Sequence, residues 1–249
     1  MRLTVAGCSG SFPGPESACS CYLVEAEGFR LVVDLGNGAL GPLQRHCGRY
    51  DIDAVLLSHL HGDHCLDLCS YYVARKYLPS GPAPPVPVYA PAAAPEHVAR
   101  ASGLTSADGM RQIFDFRTLS PGRFGIGPFT VTADRVNHPI ETFGVRIEYG
   151  GAALTYSADT GTSDALVRLA SGADMLLCEA SFHEGRDQAA DLHLNGRGAA
   201  EHAARAGVGR LLLTHLPPWN DPERSLAETE GAYDGAISVV RAGATYEFR

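Results

Sequence analysis

No stretch of this sequence approaches the roughly 20 consecutive apolar residues that a membrane-crossing helix needs. No leader is expected either. Met1-Arg2-Leu3-Thr4-Val5 begins as a strand, with no charged segment ahead of an apolar core, so no signal peptide is expected. There is no basic excess. Lys and Arg number 20 against 28 Asp and Glu, a formal net charge of −8. That argues against gripping nucleic acid by broad electrostatics, though a local basic patch is still allowed. Cysteines are not organised into finger-like sets. The seven (Cys8, Cys19, Cys21, Cys47, Cys65, Cys69 and Cys178) are odd in number. Cys19-Ser20-Cys21 and Cys65-x3-Cys69 lack a second pair at zinc-finger spacing, so reduced structural thiols in a cytoplasmic protein fit best. The loop Gly7 to Pro15 has neither dinucleotide-fingerprint spacing nor the Gly-Lys-Ser/Thr of a P-loop. No short repeat recurs. The remaining class is a soluble globular chain of 249 residues, 45% hydrophobic and 19% charged. It is long enough for a sizeable core, and a single domain spanning 1–249 is expected.

One stretch concentrates chemistry: Ser58-His59-Leu60-His61-Gly62-Asp63-His64. It follows the apolar run Ala54-Val55-Leu56-Leu57, which reads as a buried strand with the motif on the loop leaving it. Zinc takes neutral His nitrogens and carboxylate oxygens at about 2 Å. Such a loop can turn His59 and His61 to one point and Asp63 and His64 to a neighbouring one. A His-rich surface loop is the plainer alternative, but His is seldom grouped so tightly beside a strand end.

The rest of the chain supplies strands and helices in a regular plan. Strands are predicted over Leu3 to Ala6, Ile52 to Leu57, Val86 to Tyr89, Ile113 to Phe116 and Phe129 to Val136. Hairpins are predicted at Cys21 to Glu25 with Phe29 to Val33, and at Thr142 to Glu148 with Ala152 to Ser157 around Tyr149-Gly150-Gly151. Later strands are predicted at Met175 to Glu179, Arg210 to Thr214, Ile237 to Val240 and Thr245 to Phe248. Helices are predicted over Ala39 to His46, Leu66 to Tyr77, Pro95 to Ser102, Ser163 to Ala170, Arg197 to Ala206 and Pro222 to Tyr233. The proline cluster Ser80 to Pro85 reads as a connector within one domain. Each half shows antiparallel strands first, then helices. Two facing sheets with helices outside, a four-layered αββα sandwich of the α/β class, would bury this pattern.

Rigid strand ends deliver side chains to a common edge. His138 follows Val131 to Val136, Asp159 follows Leu154 to Ala158, and His215 follows Leu211 to Thr214. Singly, each has a plainer role: a hydrogen-bonded His, a helix-capping Asp, a core His. Together with the opening motif they suffice for two zinc ions. His59, His61 and His138 are expected to hold the first and Asp63, His64 and His215 the second, with Asp159 bridging. Manganese or iron would also suit such a site.

His59-x-His61-x-Asp63-His64 followed by His138, Asp159 and His215 resembles the metallo-β-lactamase superfamily. The segments Leu3 to Gly10, Asp34-Leu35-Gly36-Asn37-Gly38, Ser157-Ala158-Asp159-Thr160, Cys178-Glu179-Ala180-Ser181-Phe182 and Leu213-Thr214-His215 are similar to its ribonuclease Z-like phosphodiesterases. The resemblance implies the αββα fold and hydrolysis of a phosphodiester by a metal-bridging hydroxide, oriented by Asp63. It also implies an acid at His193, held protonated by Glu179. Here the family has His-Ser-Thr and this chain has His-Leu-Asn, so only the His carries over. Asp34 is expected to accept from a ligand His; His183, close to Glu179 in sequence, either reaches substrate or stays out of the site. His46, His97 and His202 read as ordinary helix-surface residues. The tRNA-processing members insert a basic Gly/Pro-rich arm between the counterparts of His138 and Asp159. Only twenty residues (139–158) separate them here, and a hairpin uses most. A small phosphodiester such as 3′,5′-cAMP is therefore expected, with a ribonuclease Z-like RNA 3′-end nuclease or a glyoxalase II-like thioesterase as alternatives. Zinc β-lactamases lack the bridging carboxylate that Asp159 supplies. Relatives are often homodimers, and Cys69 to Val73 would serve as an interface or as a core helix.

Overall fold

The computed structural model describes residues 1–187 and 191–248. The chain opens with β1 (Arg2–Ser9), a short β2 (Ala18–Cys19), β3 (Cys21–Ala26) and β4 (Phe29–Val33). Next come α1 (Leu40–Leu43), β5 (Ala54–Leu56), α2 (Gly62–Cys65) and α3 (Asp67–Lys76). The first half closes with β6 (Val86–Ala90), α4 (Ala94–Ala101), α5 (Asp108–Arg111) and β7 (Phe114–Thr118). The second half begins with the antiparallel run β8 (Gly122–Ile126), β9 (Phe129–Arg135), β10 (Phe143–Tyr149) and β11 (Ala152–Tyr156). Strands and helices then alternate: α6 (Asp164–Ala170), β12 (Met175–Glu179), α7 (Gly196–Ala206), β13 (Arg210–Thr214), α8 (Pro222–Ala227) and β14 (Ala236–Val239). Finally β15 (Thr245–Glu247) returns to pair antiparallel with β1.

Two sheets result. The first runs β15-β1-β3-β4-β5-β6-β7 with β2 beside β1, and the second runs β14-β13-β12-β11-β10-β9-β8. Both hairpin turns predicted from sequence form, at Glu27-Gly28 and at Gly150-Gly151, with positive φ at both central residues. That geometry matches the right-handed strand twist. The sheets face each other across a core in which Leu3, Val5, Val24, Leu31 and Leu56 meet Phe129, Val131, Val145, Ile147, Leu154 and Leu177. Alternate residues point outward. Val32, Val55 and Val88 pack under Leu43, Leu68, Tyr71, Val98 and Met110, and Leu176, Cys178, Leu211 and Leu213 pack under Leu166, Ala199 and Ala203. Burial on both faces is why these strands read as apolar runs instead of alternating ones. The outcome is the αββα sandwich expected.

Two tyrosines join the sheets at one end. Tyr22 of β3 and Tyr156 of β11 lie 5.1 Å apart by ring centroid. The Tyr22 hydroxyl meets Thr214 Oγ1 at 2.7 Å, and the Tyr156 hydroxyl donates to Asp34 at 2.8 Å. Truncating a buried aromatic of this kind to alanine costs about 3–5 kcal/mol.

Several expectations need correcting. The helix predicted over Ala39 to His46 is the single turn α1. The one predicted to reach Tyr233 stops at Ala227; the next residue, Glu228, turns back to accept from the Glu184 and Gly196 amides. Strand β8 was not predicted, because Gly122 and Gly125 break the pattern. His202 is not a surface residue: it is buried, donates from Nδ1 to Gly198 O at 2.7 Å and accepts from Ser163 N–H at 3.0 Å. In α3, Leu68, Tyr71 and Tyr72 face the core while Val73 is 53% exposed. No helix among the described residues is long and apolar enough to cross a membrane.

Candidate metal centre

The loop after β5 turns at His61, which precedes α2, so Asp63 and His64 sit within one helical turn. Close backbone approach makes this possible. A Cβ on Gly36 would lie 2.0 Å from the Asp63 carbonyl oxygen, so only glycine lets the two loops meet. From the second sheet, the loop after β9 brings His138, the end of β11 brings Asp159, and the end of β13 brings His215. Among the described residues, five non-glycine residues have positive φ: Ser11, Glu27, Asp34, Ala158 and His215. Glu27 belongs to a hairpin turn; Ser11 and Asp34 touch predicted donors, Ala158 precedes one, and His215 is one. Held in that region, each costs on the order of 1 kcal/mol.

All seven predicted donors come together in two groups. His59, His61, His138 and Asp159 form one; Asp63, His64, Asp159 and His215 form the other. Asp159 belongs to both. Its Oδ2 lies 3.6 Å from His59 Nε2, while its Oδ1 lies 3.1 Å from His64 Nε2 and 3.4 Å from His215 Nε2. Asp63 Oδ2 accepts from the Ser11 amide at 2.8 Å and lies 3.0 Å from His215 Nε2.

The hydrogen bonds on the far side of four rings fix which nitrogen faces inward. Leu192 O can only accept, so His138 donates from Nδ1, at 3.0 Å. The Asp34 carboxylate accepts from His64 Nδ1 at 2.7 Å. The Ser58 hydroxyl proton goes to Asp34 Oδ2, so Ser58 Oγ accepts from His59 Nδ1 at 3.0 Å. Likewise the Ser181 hydroxyl donates to His215 O, so its oxygen accepts from His215 Nδ1 at 2.7 Å. Four imidazoles, of His59, His64, His138 and His215, therefore turn Nε2 inward, and His61 turns Nδ1 inward.

This arrangement suits a cation. His64 Nε2 and His215 Nε2 are 3.1 Å apart, a spacing at which two lone pairs repel unless a proton or a metal ion lies between them. His61 Nδ1 is 3.2 Å from both His59 Nε2 and His138 Nε2. Asp159 Oδ1 is buried and makes no hydrogen bond. Burial keeps His59, His61 and His138 below their ordinary pKa, in the neutral form that ligates metal. Burial would also lower His64, but the carboxylates of Asp159 and Asp34 raise it well above. Burial likewise opposes ionisation of Asp63 and Asp159; the surrounding imidazoles, His215 and His64 first among them, outweigh it and hold both carboxyls well below their usual range.

His193 stands beside both groups, its ring 5.4 Å from His138 and 5.8 Å from His215 by centroid. Its Nδ1 donates to Glu179 Oε1 at 2.8 Å. Glu179 is fully buried at the end of β12 and also accepts from Thr160 N–H at 2.6 Å. Burial pulls the His193 pKa down, yet the Glu179 charge and hydrogen bond push it up to about 9. Asp34 accepts from His64, one of the proposed donors. His183 does not join either group; its Nδ1 meets Glu228 at 3.1 Å and its ring is buried. Sequence reasoning missed Ser11, Ser58, Tyr156 and Ser181. Ser58 and Ser181 lie inside quoted motifs, but nothing in their spacing shows that they set a tautomer.

Comparison with known proteins agrees with this geometry. The β-lactamase superfamily domain matches residues 30–216. An uncharacterized protein of Mycobacterium tuberculosis is 43% identical over 254 residues, covering 100% of this chain and 93% of that one. The probable metallo-hydrolase YhfI of Bacillus subtilis is 30% identical over 99% of this chain and 100% of its own. YhfI's solved structure, a metallo-β-lactamase fold, superposes with a TM-score of 0.87 over 98% of each chain. A ribonuclease Z of Mycolicibacterium gilvum is 32% identical over 96% of this chain and 93% of its own. Members of this fold bind divalent metal, as the two donor groups would. The chain belongs to the β-lactamase superfamily, among the metallo-hydrolases related to YhfI and ribonuclease Z.

Proposed function

We propose that the chain, folded as one domain, is a dinuclear zinc phosphodiesterase acting on a small phosphodiester, with a cyclic nucleotide such as 3′,5′-cAMP as the favoured substrate. His59, His61 and His138 would hold one ion, Asp63, His64 and His215 the other, and Asp159 both. When bound, the ions supply a nucleophile from water at neutral pH and offset charge on the phosphoryl oxygens. The chain's own residues do the rest. Asp63, fixed by the Ser11 amide, would orient the attacking water by accepting a hydrogen bond from it. His193 faces the opposite need: an alkoxide leaving group requires a proton. Glu179 holds that imidazole charged and fixes its Nδ1, so Nε2 is the atom left to donate it.

The observation that carries this reading is the His193–Glu179 pair, set beside both donor groups. An acid there serves a poor leaving group. The preference for a small substrate rests on the segment between His138 and Asp159, which is taken up by β10 and β11 and so offers no tRNA-gripping arm. The identity with ribonuclease Z favours an RNA 3′-end nuclease as the second reading. Purified protein assayed side by side on cAMP, a precursor tRNA and a thioester ranks the three. Two metals per chain and fastest turnover of cAMP are expected. Faster cleavage of the tRNA would overturn the substrate preference. His61→Ala should abolish metal uptake and turnover together; unchanged turnover would sink the metal assignment.

A further inference from the structure

Two aromatic side chains stand in solvent beside this centre and have no part in the chemistry above. Phe12 is 37% exposed and Trp219 is 65% exposed, with ring centroids 4.7 Å apart at 45°. Both are tied to the donor groups through rigid backbone. Phe12 follows Ser11, whose amide donates to Asp63, and its own carbonyl accepts from Ser9 Oγ at 2.9 Å. Trp219 comes four residues after His215. Between them, Leu216 O accepts from the Gly10 amide at 3.1 Å, joining the two loops. Immediately after Trp219, buried Asn220 donates from Nδ2 to Ser181 O at 2.7 Å. Ser181 is the residue that fixes His215, so one residue anchors both the donor and the exposed ring.

A large aromatic pair left in water, held this firmly at the mouth of a polar centre, suits a ligand that is flat and apolar at one end and charged at the other. We infer that Phe12 and Trp219 form a stacking platform for the nucleobase of a nucleotide whose phosphate lies at the Asp63 and His215 side of the donor groups. This rests on the phosphodiesterase reading and narrows it to nucleotides. Stacking uses the π-face that every base has, so the pair favours nucleotides over other phosphodiesters without reading which base is present.

Trp219 is the only tryptophan in the chain, so its emission reports the site directly. Metal-loaded protein is titrated with 5′-AMP, with ribose 5-phosphate and with a short single-stranded RNA. Quenching by AMP at concentrations where ribose 5-phosphate has no effect is expected. Quenching by RNA at still lower concentration supports the platform and assigns the base to an RNA end. No quenching by either overturns the inference. Trp219→Ala should weaken AMP inhibition by about 5- to 150-fold, with KM for the cyclic nucleotide changing more than kcat. Inhibition by ribose 5-phosphate should be unaffected, and Trp219→Phe should restore most of the loss. Equal AMP inhibition of the wild-type and Trp219→Ala proteins would refute stacking while leaving the phosphodiesterase reading intact. Failure of both AMP and ribose 5-phosphate to bind the wild-type protein would remove that reading as well. If Trp219→Ala converts a dimer to a monomer in sedimentation, the pair is a subunit interface and the inference is wrong.

Discussion

Replacing Asp34 with asparagine changes one atom in a fully buried side chain, yet it should disturb the metal centre. The carboxylate accepts four hydrogen bonds. Oδ1 takes the Ser58 amide at 2.7 Å, and Oδ2 takes Ser58 Oγ at 2.8 Å, His64 Nδ1 at 2.7 Å and Tyr156 OH at 2.8 Å. An asparagine keeps the most bonds by placing its oxygen at the Oδ2 position. Its NH2 then faces the Ser58 N–H, donor against donor. That leaves a buried donor unmet, which costs about 1–3 kcal/mol. The other three bonds lose their charge assistance, roughly half their strength. Relief of a buried charge works the other way, so a net loss of about 2 kcal/mol is expected in metal-free protein. For a chain this long, that lowers Tm by about 4–8 °C. His64 meanwhile loses the partner that fixes its tautomer and raises its basicity. Loss of such a partner weakens metal binding by about 10- to 100-fold, or 1.4–2.8 kcal/mol. Competitive chelator titration gives the affinity and calorimetry gives Tm. Tyr156→Phe is the control, since it takes a donor from the same carboxylate without touching His64; it should lower Tm with little effect on metal. Metal affinity of Asp34→Asn within twofold of wild type would refute the role given to Asp34, however much the Tm fell.

Three further outcomes follow from the same contacts. His193→Ala should slow hydrolysis of a diester with a poor leaving group by about 10²- to 10⁴-fold while metal content, read by atomic emission, stays unchanged; joint loss of metal would make His193 a ligand. Gly36→Ala forces its methyl group against the Asp63 carbonyl, so loss of metal binding together with a clear drop in Tm is expected, and a normal metal titration would contradict the close approach. His202 is held below its ordinary pKa of 6.5, by burial first, so the unfolded chain takes up the proton before the folded one does. Its contribution is therefore full above pH 6.5 and is lost as pH falls toward the lowered folded value. Urea melts at pH 8 and pH 5.5 should differ less for His202→Gln than for wild type; an equal difference would show that His202 does not titrate in this way.

Much of the fold and of the donor set could be read from the sequence because both rest on strand ends. Apolar runs such as Leu211 to Leu213 and Leu154 to Tyr156 are buried on two faces, and the polar residue that ends each run has to go to the sheet edge. His138, Asp159 and His215 were found in this way. Elements with less core behind them were harder to read. Strand β8 has exposed residues and two glycines, and α5 is four residues long. The stop at Ala227 depends on what Glu228 grips across the chain, a tertiary contact without a local signal. His202 was misread for a similar reason: its helix pattern says nothing of the Ser163 amide waiting for an acceptor. The tautomer-setting partners Ser58, Ser181 and Leu192 O were hidden too, because their roles depend on which lone pair is already in use elsewhere.

The two donor groups divide evenly between the sheets. In one, His59 and His61 come from the first sheet's side and His138 and Asp159 from the second's; in the other, Asp63 and His64 face Asp159 and His215. Neither half of the molecule can assemble a complete set alone. All seven thiols are free, so no disulfide joins the halves. A cation shared across that seam would act as a rivet, and its binding energy would add to folding stability as RT ln(1 + [M]/Kd). Chelation should therefore loosen the sandwich from its catalytic end, where the tyrosine bonds would be left to hold the two layers together.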